Sequence, residues 1–255
     1  MAVVAVVALD AALRTPLAAG LPTGLRVRPC RTHDHLERLL AGALVDAVVL
    51  PARGDWLAPV TSLRERFPGI PVFGYGVVRA DDGERLAQAV AAGVQDVLIA
   101  GVDEPVAGEL VGTRGASRQR ARELADAPRL LRLTDALQTR AWDLALETVD
   151  GRLTTSDLAR RLGTSREHLS REFAAGGAPN LKRVIDLARV ACAADLLRNP
   201  GYAVGVCARI LGFASAGHLA GTSRRIAGVA ARELGRLGPR GVLQRFLRGR
   251  TRSRI

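Results

Sequence analysis

A chain of 255 residues, 48% of them hydrophobic, is long enough for one large or two modest domains and too apolar to be disordered throughout. Its formal net charge of +12 is segregated: residues 1–127 hold 14 Arg against 15 acids, a net of −1, and residues 128–255 hold 23 Arg and Lys against 10 acids, a net of +13. An excess confined to one half is what a phosphate-binding surface requires, and Cys30, Cys192 and Cys207, without a Cys-x-x-Cys, argue against a disulfide framework or a zinc site and for a reducing compartment.

The opening MAVVAVVAL lacks a basic flank, meets Asp10 and is too short to span a membrane, so a cytoplasmic protein with no membrane association is expected. Short apolar runs at Val3–Leu9, Leu25–Arg28, Ala47–Leu50, Pro71–Tyr75 and Asp96–Ala100 read as strands, most of them Val-rich as in a sheet buried on both faces. Helical patterns near His33–Ala41, Trp56–Arg66 and Gly83–Ala92 alternate with them, and a weaker one at Ala11–Ala19 is interrupted by Pro16. The alternation predicts an α/β domain with a doubly wound parallel sheet over residues 1–105. His33-Asp34-His35 reads as a helix start capped by Thr32 rather than a metal site, because residues two apart do not share a helix face. Asp81-Asp82 reads as charge at a helix start, and Asp55, Asp103 and Glu104 as loop carboxylates.

Residues 106–128 read as a linker or linker helix punctuated by Arg114-Gly115 and Pro128. From there the period is helical throughout, with segments at Arg129–Val149, Ser156–Leu162, Ser165–Ala174, Leu181–Arg198, Val204–Leu211 and Ala216–Ile226, predicting an all-α domain over 129–235. Two stretches repeat each other: Ala159-Arg160-Arg161-Leu162-Gly163 and Ala208-Arg209-Ile210-Leu211-Gly212. In the first, Thr154 and Asp157 form an N-cap pair, Gly163 ends the helix, Thr164 and Ser165 restart it, and Leu169 and Phe173 set one apolar stripe inward. Arg166, Glu167, Ser170 and Arg171 are left on the open face. Helix, glycine turn and helix with a polar outer face is the helix-turn-helix design, whose second helix fits the DNA major groove. The tail 236–255 carries seven arginines and no acid, so it is either a disordered end or a source of sequence-independent, salt-sensitive affinity.

Ser165-Arg-x-x-Leu169-x-Arg171-x-Phe173, preceded by Leu158-Ala159-Arg160-Arg161-Leu162-Gly163, resembles the AraC/XylS family of bacterial transcription regulators. The long helix ending Ala193-Ala194-Asp195-Leu196-Leu197 and the run Val206-Cys207-Ala208-Arg209-Ile210-Leu211-Gly212-Phe213 extend the likeness from Leu153 to Leu234. The resemblance implies a double helix-turn-helix domain joined by a linker helix and presented to successive major-groove segments of double-stranded DNA. The second unit departs from the pattern: Ala216, Gly217 and Gly221 stand where polar base-reading side chains are usual, Ser223 replaces an aromatic and Ala231 a proline. The first hundred residues resemble a response-regulator receiver through Ala92-Gly93-Val94-Gln95-Asp96-Val97-Leu98. A degenerate one is implied, because Pro51 stands at the phosphoacceptor position, Ala100 at that of the lysine, and the hydroxyl position falls around Gly74–Gly76. Only Asp10 remains of the acidic cluster.

Arg171 either bonds a guanine edge bidentately, bonds only phosphate or is a solvated arginine, with Ser170 beside it and Arg166 directed at phosphate. Glu167 either accepts from cytosine or completes a capping box with Thr164, and His168 reads as a packed or surface residue. Lys182, Arg183 and Arg189 on the long helix are solvated charges or phosphate contacts, and the second helix-turn-helix either holds phosphates through Arg224 and Arg225 or is a packing element only. The expectation is a non-enzymatic, sequence-specific DNA-binding transcription regulator without cofactor or metal. A homodimer is expected, with the first domain a phosphorylation-independent module for dimerisation or for sensing a protein partner. The alternative is a protein-interaction scaffold with only non-specific DNA affinity, and a working phosphoreceiver rests on Asp10 alone.

Overall fold

The computed structural model describes residues 2–53, 57–149, 151, 153–174 and 177–252 and divides into two compact units, Met1–Gln119 and Arg120–Ile255. The first alternates strand and helix: β1 (Ala2–Val7), α1 (Ala11–Ala19), β2 (Leu25–Cys30), α2 (His33–Gly42), β3 (Val45–Pro51), α3 (Leu57–Arg66), β4 (Val72–Gly76), α4 (Gly83–Ala91), β5 (Asp96–Ile99), α5 (Glu104–Thr113) and α6 (Ala116–Glu123), the last running across the division. All pairings are parallel and the sheet order is β2-β1-β3-β4-β5, one of the two common doubly wound orders. The α/β sheet expected from the sequence is therefore present. The central strands β1 and β3 are Val-rich because helices cover both their faces, and Val3, Val4, Val48 and Val49 are fully buried. Pro29 is tolerated because β2 is an edge strand. Trp56 and Asp55 lie outside the described residues.

Thr32 caps α2 by accepting from the His35 amide at 3.2 Å, as the sequence indicated. Asp82 does more than complement a helix start. It is buried, accepts from the Arg79 amide at 2.8 Å and pairs with Arg53 at 3.3 Å and Arg85 at 3.2 Å.

The stretch expected as a linker or linker helix is helical, and its first helix packs into the core. Ala107 and Val111 of α5 join the core beside Leu17 and Leu98. A Cβ at Gly108 would strike the backbone of Gly20 and Leu17, and one at Gly112 would strike the Pro22 ring, so these glycines let α1 and α5 approach closely. At the start of α6 the Ser117 amide donates to the buried Asp46 carboxylate at 2.6 Å, and a side chain at Gly115 would collide with that carboxylate.

The second unit is helical: α7 (Ala127–Leu130), α8 (Ala136–Glu147), α9 (Thr155–Arg161), α10 (Arg166–Ala174), α11 (Leu181–Leu196), α12 (Val204–Ile210), α13 (Ala216–Ala227) and α14 (Leu234–Arg252). The single segment expected over Arg129–Val149 is two helices, broken by Arg132 in the left-handed region (φ 59°) and restarted by a capping box between Asp135 and Gln138. Helix α11 is the hub, with Val184, Leu187, Ala188, Ala191 and Ala194 fully buried. Arg120 reaches Asp195 near its end at 2.8 Å, and Arg198 pairs with Glu123 at 2.5 Å. Burial holds the Asp195 carboxyl above the usual carboxylate range against the pull of the Arg120 guanidinium. The arginine-rich tail is helical as well. Helix α14 bends at Gly238 (φ 63°) and buries Val242, Leu243 and Phe246 against the unit, leaving Arg236, Arg240, Arg245 and Arg248 exposed. Arg254 and the side chains of Arg250 and Arg252 lie outside the described residues.

Candidate nucleic-acid interface

The two repeats fold alike. Helix α9 starts at a reciprocal cap: the Asp157 amide donates to Thr154 Oγ1 at 3.1 Å, and the Thr154 amide donates to Asp157 Oδ2 at 3.2 Å. Hydrogen bonds from the Thr154 hydroxyl and amide, aided by Arg160, hold the Asp157 carboxyl below its ordinary range. The helix ends at Gly163 (φ 69°), whose amide bonds the Arg160 carbonyl at 3.2 Å while the Thr164 amide bonds that of Ala159 at 3.0 Å. This double closure is a Schellman motif. The second repeat reproduces it: Gly212 (φ 63°) donates to Arg209 at 3.1 Å and Phe213 to Ala208 at 2.8 Å. Each second helix then starts at a serine: Ser165 Oγ accepts from the His168 amide at 3.0 Å, and Ser215 Oγ from the His218 amide at 3.1 Å.

In α10, Leu169 and Phe173 are fully buried, which turns Arg166, Glu167, Ser170 and Arg171 outward together. The far end of α10 is held by Gln138, a buried side chain whose Nε2 donates to the Glu172 carbonyl at 2.7 Å while its Oε1 completes the α8 capping box. Nothing in the local pattern around α10 pointed to Gln138, because its partner lies 34 residues away. Glu167 does not cap. The cap is Ser165, so Glu167 falls one position early and lies exposed, 3.5 Å from Arg166. Among the described residues, the side chains of Ser170 and Arg171 have no hydrogen-bonding or charged partner.

In α13 the corresponding inward residues are Leu219, Thr222, Ser223 and Ile226. Ser223, where an aromatic was expected, is fully buried and donates to the Val229 carbonyl at 2.8 Å. Ala216, Gly217 and Gly221 are exposed on the outer face and offer no side-chain donor or acceptor. Arg224 is exposed, whereas Arg225 is engaged by Asp186 at 3.0 Å.

On α11, Lys182 is exposed and the other two cations are occupied within the unit. The Arg183 guanidinium sits 5.0 Å from the centre of the Phe246 ring of α14. Arg189, expected as a solvated charge or phosphate contact, is neither. It is buried, lies 3.9 Å over the Phe213 ring, and donates from Nε at 3.2 Å and Nη2 at 2.8 Å to the Leu211 carbonyl at the end of α12. Burial raises the thiols of Cys192, to about 11, and Cys207, to about 12, so both are neutral core groups. No cluster of metal-ligating side chains occurs among the described residues, and none of their helices is long and apolar enough to cross a membrane.

Residues 158–236 match the model of a family described as a helix-turn-helix domain, and support an AraC-type DNA-binding domain in the second unit. No curated protein matches the chain.

Proposed function

With an AraC-type DNA-binding domain in its second unit, we propose that this transcription regulator recognises specific duplex sequences through α10. Arg171 and Ser170 address base edges, Arg166 and Lys182 hold phosphates, and Glu167 either restrains Arg166 or accepts from a cytosine. In the second helix-turn-helix Arg224 serves the backbone. Arg225 reaches a phosphate only by leaving Asp186, and Arg183 contributes by seating α14. The observation that carries this reading is the outer face of α10, which presents two unpartnered polar side chains on a helix fixed by Ser165 at one end and Gln138 at the other. Such fixation is what base readout within hydrogen-bonding distance requires.

The first unit acts in this reading as a phosphorylation-independent receiver-like module for dimerisation or for a protein partner. Its strand order supports that role, and so does Pro51 as the last residue of β3. Selection from a randomised duplex pool at near-physiological salt tests the proposal. An enriched motif is expected with the native chain and its collapse with Arg171→Ala. Retention without a motif, unchanged by the mutation, favours the second reading, a scaffold with non-specific affinity. The bare outer face of α13 at Ala216, Gly217 and Gly221 supports that alternative.

A further inference from the structure

The carboxyl edge of the sheet carries a cavity in the first unit. Strands β1 and β2 end side by side, with Val7 opposite Cys30 and the Ala8 amide bonded to the Cys30 carbonyl at 2.9 Å. Helices α1 and α2 both start from this edge, so the positive ends of two helix dipoles lie along it. Between these elements is a cavity of about 520 Å³, within the size range of small-molecule sites. Its floor is apolar, made of the buried side chains of Val6, Leu9 and Cys30. Burial pushes the Cys30 thiol up, so it lines the floor as a neutral group.

The wall is cationic. Arg14 comes from α1, Arg31 directly follows β2, and His35 lies in the first turn of α2. No acid lines the cavity, and among the described residues neither guanidinium is paired with a carboxylate. Four other arginines of this unit are neutralised by acids, Arg66 by Glu37, Arg114 by Asp96, and Arg53 and Arg85 by Asp82, whereas Arg14 and Arg31 keep their charge free at the mouth of a cavity. Two unpaired guanidinium groups over an apolar floor form a receptor for an anionic head group with an apolar body.

We propose that this cavity binds a small organic anion. A carboxylate or phosphate group would be held by Arg14 and Arg31 with His35 beside them, and a short aliphatic body would cover Val6, Leu9 and Cys30. The cavity is built from residues of the first unit and α10 belongs to the second, so the proposal stands or falls independently of how α10 reads DNA.

Thermal unfolding of the full chain with millimolar hexanoate, hexyl phosphate or inorganic phosphate tests the proposal, with hexylamine as the cationic control. A ligand well above its Kd is expected to raise the unfolding midpoint by about 2–4 °C. Hexanoate against hexyl phosphate separates carboxylate from phosphate as the preferred head, and inorganic phosphate reports the contribution of the body. Arg31 is exposed, so R31Q preserves the fold, and it is expected to weaken binding roughly tenfold or more by removing one charge-assisted contact. The R14Q/R31Q variant is expected to lose the shift, whereas R26Q, on the exposed part of β2, retains it. The proposal is overturned by the absence of a shift with all three anions, by an equal shift with hexylamine, or by a shift that R31Q and R14Q/R31Q leave unchanged.

Discussion

Arg189 donates twice to the Leu211 carbonyl and covers the Phe213 ring, so its charge is spent on closing the second helix-turn-helix turn. Arg171 carries the same guanidinium on an exposed helical face with no partner among the described residues. The sequence could not separate these roles: both arginines sit among helical residues, and what distinguishes Arg189 is a carbonyl 22 positions away. The same holds for Arg183 and Phe246. Glu167 shows the opposite sensitivity, where one residue of uncertainty in the cap, Thr164 or Ser165, decides whether a carboxylate bonds backbone or faces solvent. Replacing Arg189 with Met keeps much of the side-chain volume but leaves the Leu211 carbonyl without its donor in a buried site. Arg189→Met is expected to destabilise the chain by about 1–3 kcal/mol, read as a lower denaturation midpoint in urea. An unchanged midpoint would mean that water replaces the guanidinium at no cost.

At the scale of elements, legibility followed how directly a residue type dictates backbone shape. A glycine two residues before a serine or three before one, after Ala-Arg-x-Leu, announces a left-handed helix end and a new cap, and both turns have that form. Residues 106–128 leave linker and linker helix equally open because Arg114-Gly115 and Pro128 punctuate the stretch, while the close approach of Gly20, Pro22 and Asp46 to Gly108, Gly112 and Gly115 is tertiary. Helix α14 was hidden by its arginines, its apolar stripe being only Val242, Leu243 and Phe246. Glycines in the two kinds of place are expected to respond oppositely. Gly163 has open space around it but φ of 69°, so Gly163→Ala costs about 1 kcal/mol through the backbone alone. Gly221 lies within α13, also in open space, so Gly221→Ala stabilises by roughly 0.5–1 kcal/mol. Paired urea titrations of the two variants check the signs.

The exposed arginines of α14 extend that scale toward the interface. Replacing Arg236, Arg240, Arg245 and Arg248 with Gln is expected to leave the selected DNA motif unchanged while flattening the salt dependence of binding. The slope of log affinity against log salt falls by about 0.9 for each arginine that meets a phosphate. An unchanged slope would mark the face as merely solvated.

Across the whole molecule, the charge asymmetry matches the division of labour proposed for the two units: the nearly neutral half holds the α/β sheet and the strongly basic half holds the helices with the DNA-binding match. In the proposed reading the bare face of α13 leaves α10 as the one well-furnished reading helix, and one helix in one groove segment spans few base pairs. A second copy would supply the missing contacts, because tethering converts its binding into an intramolecular step with a high effective concentration. Light scattering at micromolar concentration is therefore expected to give twice the chain mass with and without DNA, and a monomer in both would count against a dimerising first unit. That dimer should need no phosphoryl group. Phosphotransfer requires a carboxylate nucleophile beside a magnesium-binding acid, whereas Pro51 closes β3 and Asp10, at the start of α1, is the one acid that matched the cluster. Acetyl phosphate with magnesium should then leave the chain mass and the scattering unchanged. A gain of one phosphoryl group accompanied by dimerisation would return control of assembly to Asp10.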